Sequence, residues 1–212
     1  MIRKRGVVCC LSLALLALSG CILLLPTEPE ILYQEDFQSE TNWYSGSNAY
    51  RTWSVQGGEY HLVIKASDLT RLSYNTTVGN LNDFRLDIDA RQAMGANDNG
   101  YGVAFRMKDP ENFYRFRISG DGWTRFDKKV NSQYVVIRDW ERSSLINQGV
   151  ASNHITIIAN GSLFTFYVNG SEVYSVTDAQ FSSGYVGVMG NSFTISGPMH
   201  IAFDNLVIRA LE

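Results

Sequence analysis

An antiparallel all-β sandwich is the fold class that the sequence predicts, and three observations carry it. Short runs of alternating apolar and polar residues follow one another at roughly ten-residue spacing, the rhythm of strands joined by tight turns. Two-residue turn signals separate the runs at Gly57-Gly58, Asn99-Gly100, Asp121-Gly122, Asn160-Gly161 and Asn169-Gly170. Asn-Gly and Asp-Gly tolerate the positive φ angles that hairpins of this kind require. From Ile31 onward no stretch holds a helical period for long. Such strands bury their apolar sides by packing two sheets together or by closing a barrel. Their outward sides are too charged for lipid contact, which favours the sandwich over an outer-membrane barrel.

The chain begins differently. Arg3, Lys4 and Arg5 precede the uncharged run VVCCLSLALLAL, and Leu18 to Cys21, LSGC, closes it with small residues before a cysteine. That order is a secretory signal pattern. LSGC resembles the lipobox of bacterial lipoproteins, and the resemblance implies that Cys21 is acylated and becomes the first residue of the mature chain. An uncleaved anchor is the rival reading, because Gly6 to Leu25 is apolar over the ~20 residues that a spanning helix needs. Its basic flank would keep the N-terminus inside. Both readings place everything after Pro26 outside the inner membrane, in the cell envelope.

Cysteine usage agrees with export of a domain held by its core. Cys9, Cys10 and Cys21 are the three cysteines, and all lie within residues 1–21. The remainder has no disulfide, thiol nucleophile or thiolate metal site available to it. Without Arg3, Lys4 and Arg5 the basic residues fall from 18 to 15 against 21 acidic ones, a net charge of −6. A nucleic-acid binder should show a basic surplus, so nucleic acid is not an expected partner. Residues 22–30, ILLLPTEPE, read as a tether, since Pro26 and Pro29 resist helix and sheet. Residues 31–212 then form one domain of a size that buries a substantial core.

Within that domain the stretch Arg85 to Arg91, RLDIDAR, poses the central functional question. Alternation puts Phe84, Leu86, Ile88 and Ala90 on one face and Arg85, Asp87, Asp89 and Arg91 on the other. Extending the parity to the next runs points Tyr101, Val103, Phe105 and Met107 inward, and Gly102, Ala104 and Arg106 outward. In FYRFRI, Arg115 and Arg117 oppose the apolar set. If consecutive runs are neighbouring strands, as they commonly are, Asp87 and Asp89 face Arg106, Arg115 and Arg117 across a shallow floor at Gly102 and Ala104. Two carboxylates at i and i+2 stand about 6.5–7 Å apart on a strand, near the separation that glycosidases use. A general acid, however, needs a raised pKa, and adjacent arginines push a carboxylate the other way. Electrostatics favours a cross-strand ion-pair set lining a polar groove over an acid and its nucleophile.

Sugar recognition asks for flat aromatic rings beside a few orienting polar groups. Trp123, after the Asp121-Gly122 turn, and Trp140, before ERSS, lie at run ends where a ring can be partly exposed. Together with Arg106, Arg115, Arg117, Asp87 and Asp89 they are the candidate ligand-binding side chains, with edge-of-core packing and salt bridging as the alternatives. Trp43 and Trp53 sit in more apolar surroundings and read as core. His61, His154 and His200 show no metal spacing.

The order of EDFQSETNW, WSVQGGEYHL, YGVAFRMKDPENFYRFRISGDGW, NHITIIANGSLFTFYVNGSEV and HIAFDNLVI resembles the concanavalin A-like jelly rolls. Among these it is similar to the laminin-G-like lectin domains and to the 3-keto-disaccharide hydrolase domain. The likeness covers about Leu32 to Ile208. Laminarinase-type enzymes of this superfamily carry a Glu-x-Asp-x-Glu strand; RLDIDAR is its nearest analogue, with Arg91 at the third acid position. Jelly rolls of this kind bring their terminal strands together, and related carbohydrate-binding modules hold calcium there. By that resemblance Asp36 and Asp204 are candidate ligands of a structural calcium ion, although calcium needs six to eight oxygens. The alternative is that Asp204 and Asn205 cap backbone groups.

These observations lead to one expectation: a lipid-anchored, extracytoplasmic, lectin-like domain that binds a glycan without catalysis. A sugar hydrolase of the 3-keto-disaccharide type and an envelope protein-interaction module are the two rivals.

Overall fold

A computed structural model of the chain describes residues 28–38, 43, 45–193 and 198–211. The signal pattern, Cys21 and most of the tether lie outside the described residues. In chain order the first strands are β1 Ile31–Glu35, β2 Gly46–Ser47, β3 Arg51–Gln56, β4 Glu59–Ile64 and β5 Thr70–Tyr74. Five longer strands follow: β6 Phe84–Met94, β7 Gly100–Asp109, β8 Asn112–Ser119, β9 Trp123–Val130 and β10 Gln133–Arg142. The last five are β11 Asn153–Asn160, β12 Leu163–Val168, β13 Ser171–Thr177, β14 Tyr185–Asn191 and β15 Met199–Arg209.

Two antiparallel sheets result. One has nine strands in the order β13-β12-β11-β6-β15-β4-β3-β2, with β1 also paired to β15; the other has six, in the order β10-β9-β8-β7-β14-β5. The terminal strands β1 and β15 are therefore neighbours, as the jelly-roll likeness implies. Four of the five turn signals, all but Asn99-Gly100, join paired antiparallel strands. Asn169 and Gly170, between β12 and β13, have φ of 53° and 79°, the paired positive values of a tight hairpin.

The core lies between the sheets and is built by alternation. Phe84, Leu86, Ile88 and Ala90 of β6 and Tyr114, Phe116 and Ile118 of β8 are all at most 1% exposed. An aromatic layer joins the sheets: Phe116 stacks on Phe166 at 4.5 Å between centroids, and Phe126 meets Phe166 at 4.8 Å. Truncating one such ring to alanine typically costs about 3–5 kcal/mol, so this layer is a main source of stability in a domain without disulfides.

Three sequence expectations about position are corrected here. Asn99-Gly100 is not a hairpin turn, because β6 and β7 belong to different sheets and the chain crosses the sandwich between them. The outer faces of these two strands therefore look in opposite directions. Arg106 does not point outward. A bulge in β7 gives it a φ of 46° and shifts the parity by one, so that Met107 joins Ala104 on the outer face. Gly184 permits this: a Cβ there would lie 2.2 Å from the carbonyl carbon of Arg106. Finally, Ala104 is no open floor. With Met107 and Phe113 it is fully buried in a small outer cluster, packed against Leu72 and Tyr185.

Candidate functional site

The outer face of the six-stranded sheet carries a groove made of three adjoining clefts. At one end Asp98, Ser119, Asp121, Trp123, Trp140 and Phe193 line a cleft of about 390 Å³. In the middle, a cleft of about 310 Å³ has Arg115, Arg117, Arg125, Tyr134 and Asn191 among its walls and shares Phe193 with the first. The far end, about 540 Å³, shares Thr70 and Tyr134 with the middle and adds Tyr50, Arg51, Arg71 and Lys129. The groove follows β8 and β9, from the Asp121-Gly122 turn that joins them to the turn at Pro110 and Glu111.

Register explains the middle cleft. Arg115 pairs with Asp127 and Arg117 with Arg125 across β8 and β9, so alternation stacks four charged side chains on one face. Asp127 is fully buried and ion-pairs with all three arginines; the Arg125 contact is 3.1 Å. Arg117 also donates to Asn191 Oδ1 at 2.6 Å, and Arg125 reaches Asp139 at 3.1 Å. Aromatic rings from β10 lie over the guanidinium groups. Tyr134 covers Arg115 at 3.8 Å, and Trp140 lies 5.1 Å from Arg117, distances at which cation–π attraction holds a ring in place. Burial, followed by the neighbouring Arg115 charge, lowers Arg117 to a pKa of about 9.

At the first cleft Trp140 meets Phe193 edge to face at 5.9 Å. Phe193 is 38% exposed and its backbone N–H donates to Asn99 Oδ1 at 3.0 Å. Asp121 accepts a hydrogen bond from the Ser119 hydroxyl, which itself accepts one from the Trp123 N–H at 3.2 Å. The two tryptophans singled out in the sequence thus share one cleft with carboxylates and a hydroxyl.

RLDIDAR lies elsewhere. Asp87 and Asp89 sit on the outer face of the nine-stranded sheet, on the opposite side of the sandwich from Arg115 and Arg117. The expectation that aspartates and arginines face one another across one groove is overturned by the sheet crossing after β6. The aspartates instead find partners on β11 and β15, their actual neighbours. Arg85 grips Asp87 with two hydrogen bonds of 2.8 and 2.9 Å; Thr156 Oγ1 adds one of 2.6 Å and Arg209 one of 3.1 Å. His154 bridges the pair, with Nδ1 2.7 Å from Asp89 and Nε2 3.4 Å from Asp87. Asn205 donates to the other Asp89 oxygen at 2.8 Å. Burial alone would raise the Asp87 carboxyl, but hydrogen bonds from His154, Arg85 and Thr156 hold it well below the usual carboxylate range. Hydrogen bonding to Asp87 raises His154 to about 8. The strand thus carries an ion-pair set, but with partners other than the expected arginines, and Asp87 and Asp89, expected among the ligand-binding side chains, do not line the groove.

The remaining candidates divide. Arg106, fully buried, donates to the carbonyls of Asn82, Gly161 and Phe181 at 2.7 to 3.1 Å and contacts Asp83. It ties loops together at one end of the sandwich, and its ligand-binding assignment is withdrawn. Asp204 and Asp36 lie near one another, and burial together with Glu59, Asp89 and Asp36 raises the Asp204 carboxyl. Yet Asp36 accepts from the Gln38 N–H and Asp204 from the Asn205 N–H. Among the described residues no three carboxylates or histidines are placed to hold a metal. Sequence reading missed Arg125, Asp127, Tyr134, Asn191 and His154. The alternation of WTRFDKKV offered the signal for the first two.

An antiparallel two-sheet sandwich with this strand order is a concanavalin A-like jelly roll. The chain belongs to the 3-keto-alpha-glucoside-1,2-lyase-like domain family, whose pattern matches residues 35–209. No curated protein sequence matches it. Among solved structures, it resembles the carbohydrate-binding module CBM66 from Bacillus subtilis at 19% identity and a TM-score of 0.55, over 80% of this chain and 92% of that one. A Bacillus licheniformis β-glucanase is similar at 12% identity and a TM-score of 0.58, over 85% and 98% of the two chains. A Bacillus subtilis protein of unknown function with a galectin-like fold matches at 11% identity and a TM-score of 0.65, over 86% and 97%.

Proposed function

We propose that the groove on the six-stranded sheet binds a glycan and that the domain does so without cleaving it. One observation carries the reading: Trp123, Trp140 and Phe193 converge in a single open cleft beside Asp98, Asp121 and Ser119. Rings for stacking and a few fixed acceptors are what sugar recognition demands. Family membership and the likeness in fold to a carbohydrate-binding module support it. A non-catalytic role is supported by the state of the carboxylates. Asp87 and Asp89 are members of a salt-bridge set outside the groove, and Asp127 is held by three arginines beneath it. A general acid requires the reverse environment.

The test is titration calorimetry of the chain against an oligosaccharide panel. Trp140→Ala and Trp123→Ala should each weaken binding about tenfold, the loss of one stacked ring. Unchanged affinity in both variants would remove the reading. Asp98 and Asp121, which share the aromatic cleft, favour a second reading, an enzyme of the lyase or hydrolase type. Turnover of a glycoside that Asp98→Asn or Asp121→Asn abolishes, while binding survives, would establish it.

We further propose that Cys21 carries a lipid and holds the domain to a membrane, on the strength of LSGC. One acyl chain anchors only marginally, so a stable anchor needs more than one. Cys21→Ser should block incorporation of labelled palmitate; a labelled variant would overturn the assignment.

A further inference from the structure

We propose that the glycan is anionic, a chain whose sugars bear carboxylate or sulfate groups; this rests on the glycan-binding reading above and names its ligand class. The chain as a whole is acidic, with a net charge of −3 from 18 basic and 21 acidic residues. Its groove is not. The middle cleft is lined by Arg115, Arg117 and Arg125, and the far cleft by Arg51, Arg71 and Lys129. Against these six, the same two clefts present only Asp68 and Glu111.

The internal neutralisation is incomplete. Asp127 is one charge shared by three arginines, two of which are 4% and 1% exposed. Asp139 neutralises Arg125 and Glu111 neutralises Lys129. That leaves the buried pair Arg115 and Arg117 with one carboxylate between them. Arg117 Nε is buried with no hydrogen-bond partner. In the far cleft Arg51 and Arg71 make no ion pair with a carboxylate among the described residues. Arg71 donates to the Thr70 carbonyl at 2.8 Å and lies over the Tyr50 ring at 5.1 Å, while Arg51 lies over Trp53 at 4.5 Å.

Such an arrangement is unfavourable for the empty protein, because like charges are crowded in a cleft with low-dielectric walls. An anion supplied from outside relieves it. A neutral sugar would relieve nothing, since hydroxyls bring no charge. The planar guanidinium fork matches carboxylate and sulfate oxygens two at a time. The first cleft has the opposite sign, with Asp98 and Asp121 beside its tryptophans. An anionic chain would therefore lie in one direction, its charged sugars over the arginines and an uncharged unit stacked at Trp140.

Titration calorimetry of the full chain against paired oligosaccharides tests this: uronate oligomers, their carboxyl-reduced neutral counterparts, and sulfated oligomers, at 50 and 200 mM salt. The acidic members should bind at least about tenfold more tightly than the neutral ones, and that margin should shrink at the higher salt. Separate uronate and sulfate arms show which anion is preferred. Arg71→Gln and Arg125→Gln should each reduce the margin severalfold. Asp139→Asn, at a side chain 72% exposed, should increase it by freeing Arg125. Equal binding of acidic and neutral members overturns the proposal and leaves the glycan-binding reading standing; no binding by any member overturns both. Equal binding of single-stranded DNA at matched charge also overturns it, because the groove would then be reading charge and not sugar.

Discussion

His154 offers the sharpest test of what RLDIDAR does. Both its ring nitrogens face carboxylates, Nδ1 toward Asp89 and Nε2 toward Asp87, so the bridge is complete only in the doubly protonated imidazolium. Arg85 from the same strand, Thr156 from β11 and Arg209 from β15 complete the ring of groups around Asp87. The folded-state pKa of His154 is raised to about 8 from 6.5. A raised pKa means that folding favours the charged form. The stabilisation is therefore fully present below pH 6.5, declines as the pH rises through 8 and is gone above it. At 1.36 kcal/mol per unit the shift corresponds to about 2 kcal/mol. The His154 side chain is 42% exposed, and solvent screening reduces this to roughly 1 kcal/mol. Urea unfolding of wild type and His154→Gln at pH 6 and pH 9 measures it. The wild type should be more stable than the variant by roughly 1 kcal/mol at pH 6, and the gap should close at pH 9. Taking the difference cancels the contributions of groups that both proteins retain. A gap that is the same at both pH values would refute the bridge and with it the ion-pair account of the strand.

Two further predictions concern buried charge. Asp127→Asn removes the one carboxylate shared by Arg115, Arg117 and Arg125 and should cost about 3–5 kcal/mol, the penalty of a broken buried pair. In thermal unfolding that corresponds to a fall in Tm of roughly 6–20 °C, and an unchanged Tm would show that the arginines do not depend on it. Arg106→Lys keeps the charge but cannot reproduce the fork that reaches three loop carbonyls. It should cost about 2 kcal/mol or more through the unpaired buried acceptors, read from the denaturation midpoint; Arg106→Met with wild-type stability would show that the carbonyls find other partners.

The class of fold was legible from alternation because alternation reports burial directly. The alternating runs FRLDIDA, YGVAFRM, FYRFRI, YVVIRDW, HITIIA, LFTFYV, YVGVMG and HIAFDNLVI, rich in aromatic and β-branched residues, are all strands. Which strand lies beside which was not legible. Local pattern says that β6 and β7 each have an apolar face, and it cannot say that the chain crosses between sheets at Asn99-Gly100. That one crossing separates RLDIDAR from the arginines. Arg106 was misread for a related reason. A bulge is a single residue at positive φ, held by the close approach of Gly184, which is far off in sequence. Trp123 and Trp140 were legible as candidates because position at a strand end is local information. Their meeting in one cleft depends on the β9–β10 hairpin.

The same alternation also explains why a groove forms on one outer face and a closed salt-bridge lattice on the other. On β6, β11 and β15 the outward residues include Asp87, Asp89, His154, Thr156 and Arg209, side chains long and opposite enough in charge to pair directly across strands. They meet and fill the surface. On the six-stranded sheet the outward row beside Arg115 and Arg117 is Ala104 and Gly102, with Gly187 beyond Ala104 on the next strand. These residues have little or no side chain to offer an arginine. The arginines turn toward Asp127 and Asn191 instead, and Arg117 reclines over Gly100, where a Cβ would stand 3.5 Å from its Cδ. The Trp140 ring closes over the same glycine, with a Cβ there only 3.3 Å from Cη2. Small residues therefore let the charged layer lie flat and an aromatic layer rest on it. A surface built in that order has cations below, rings above and space left beside them, which is the physical origin of the groove.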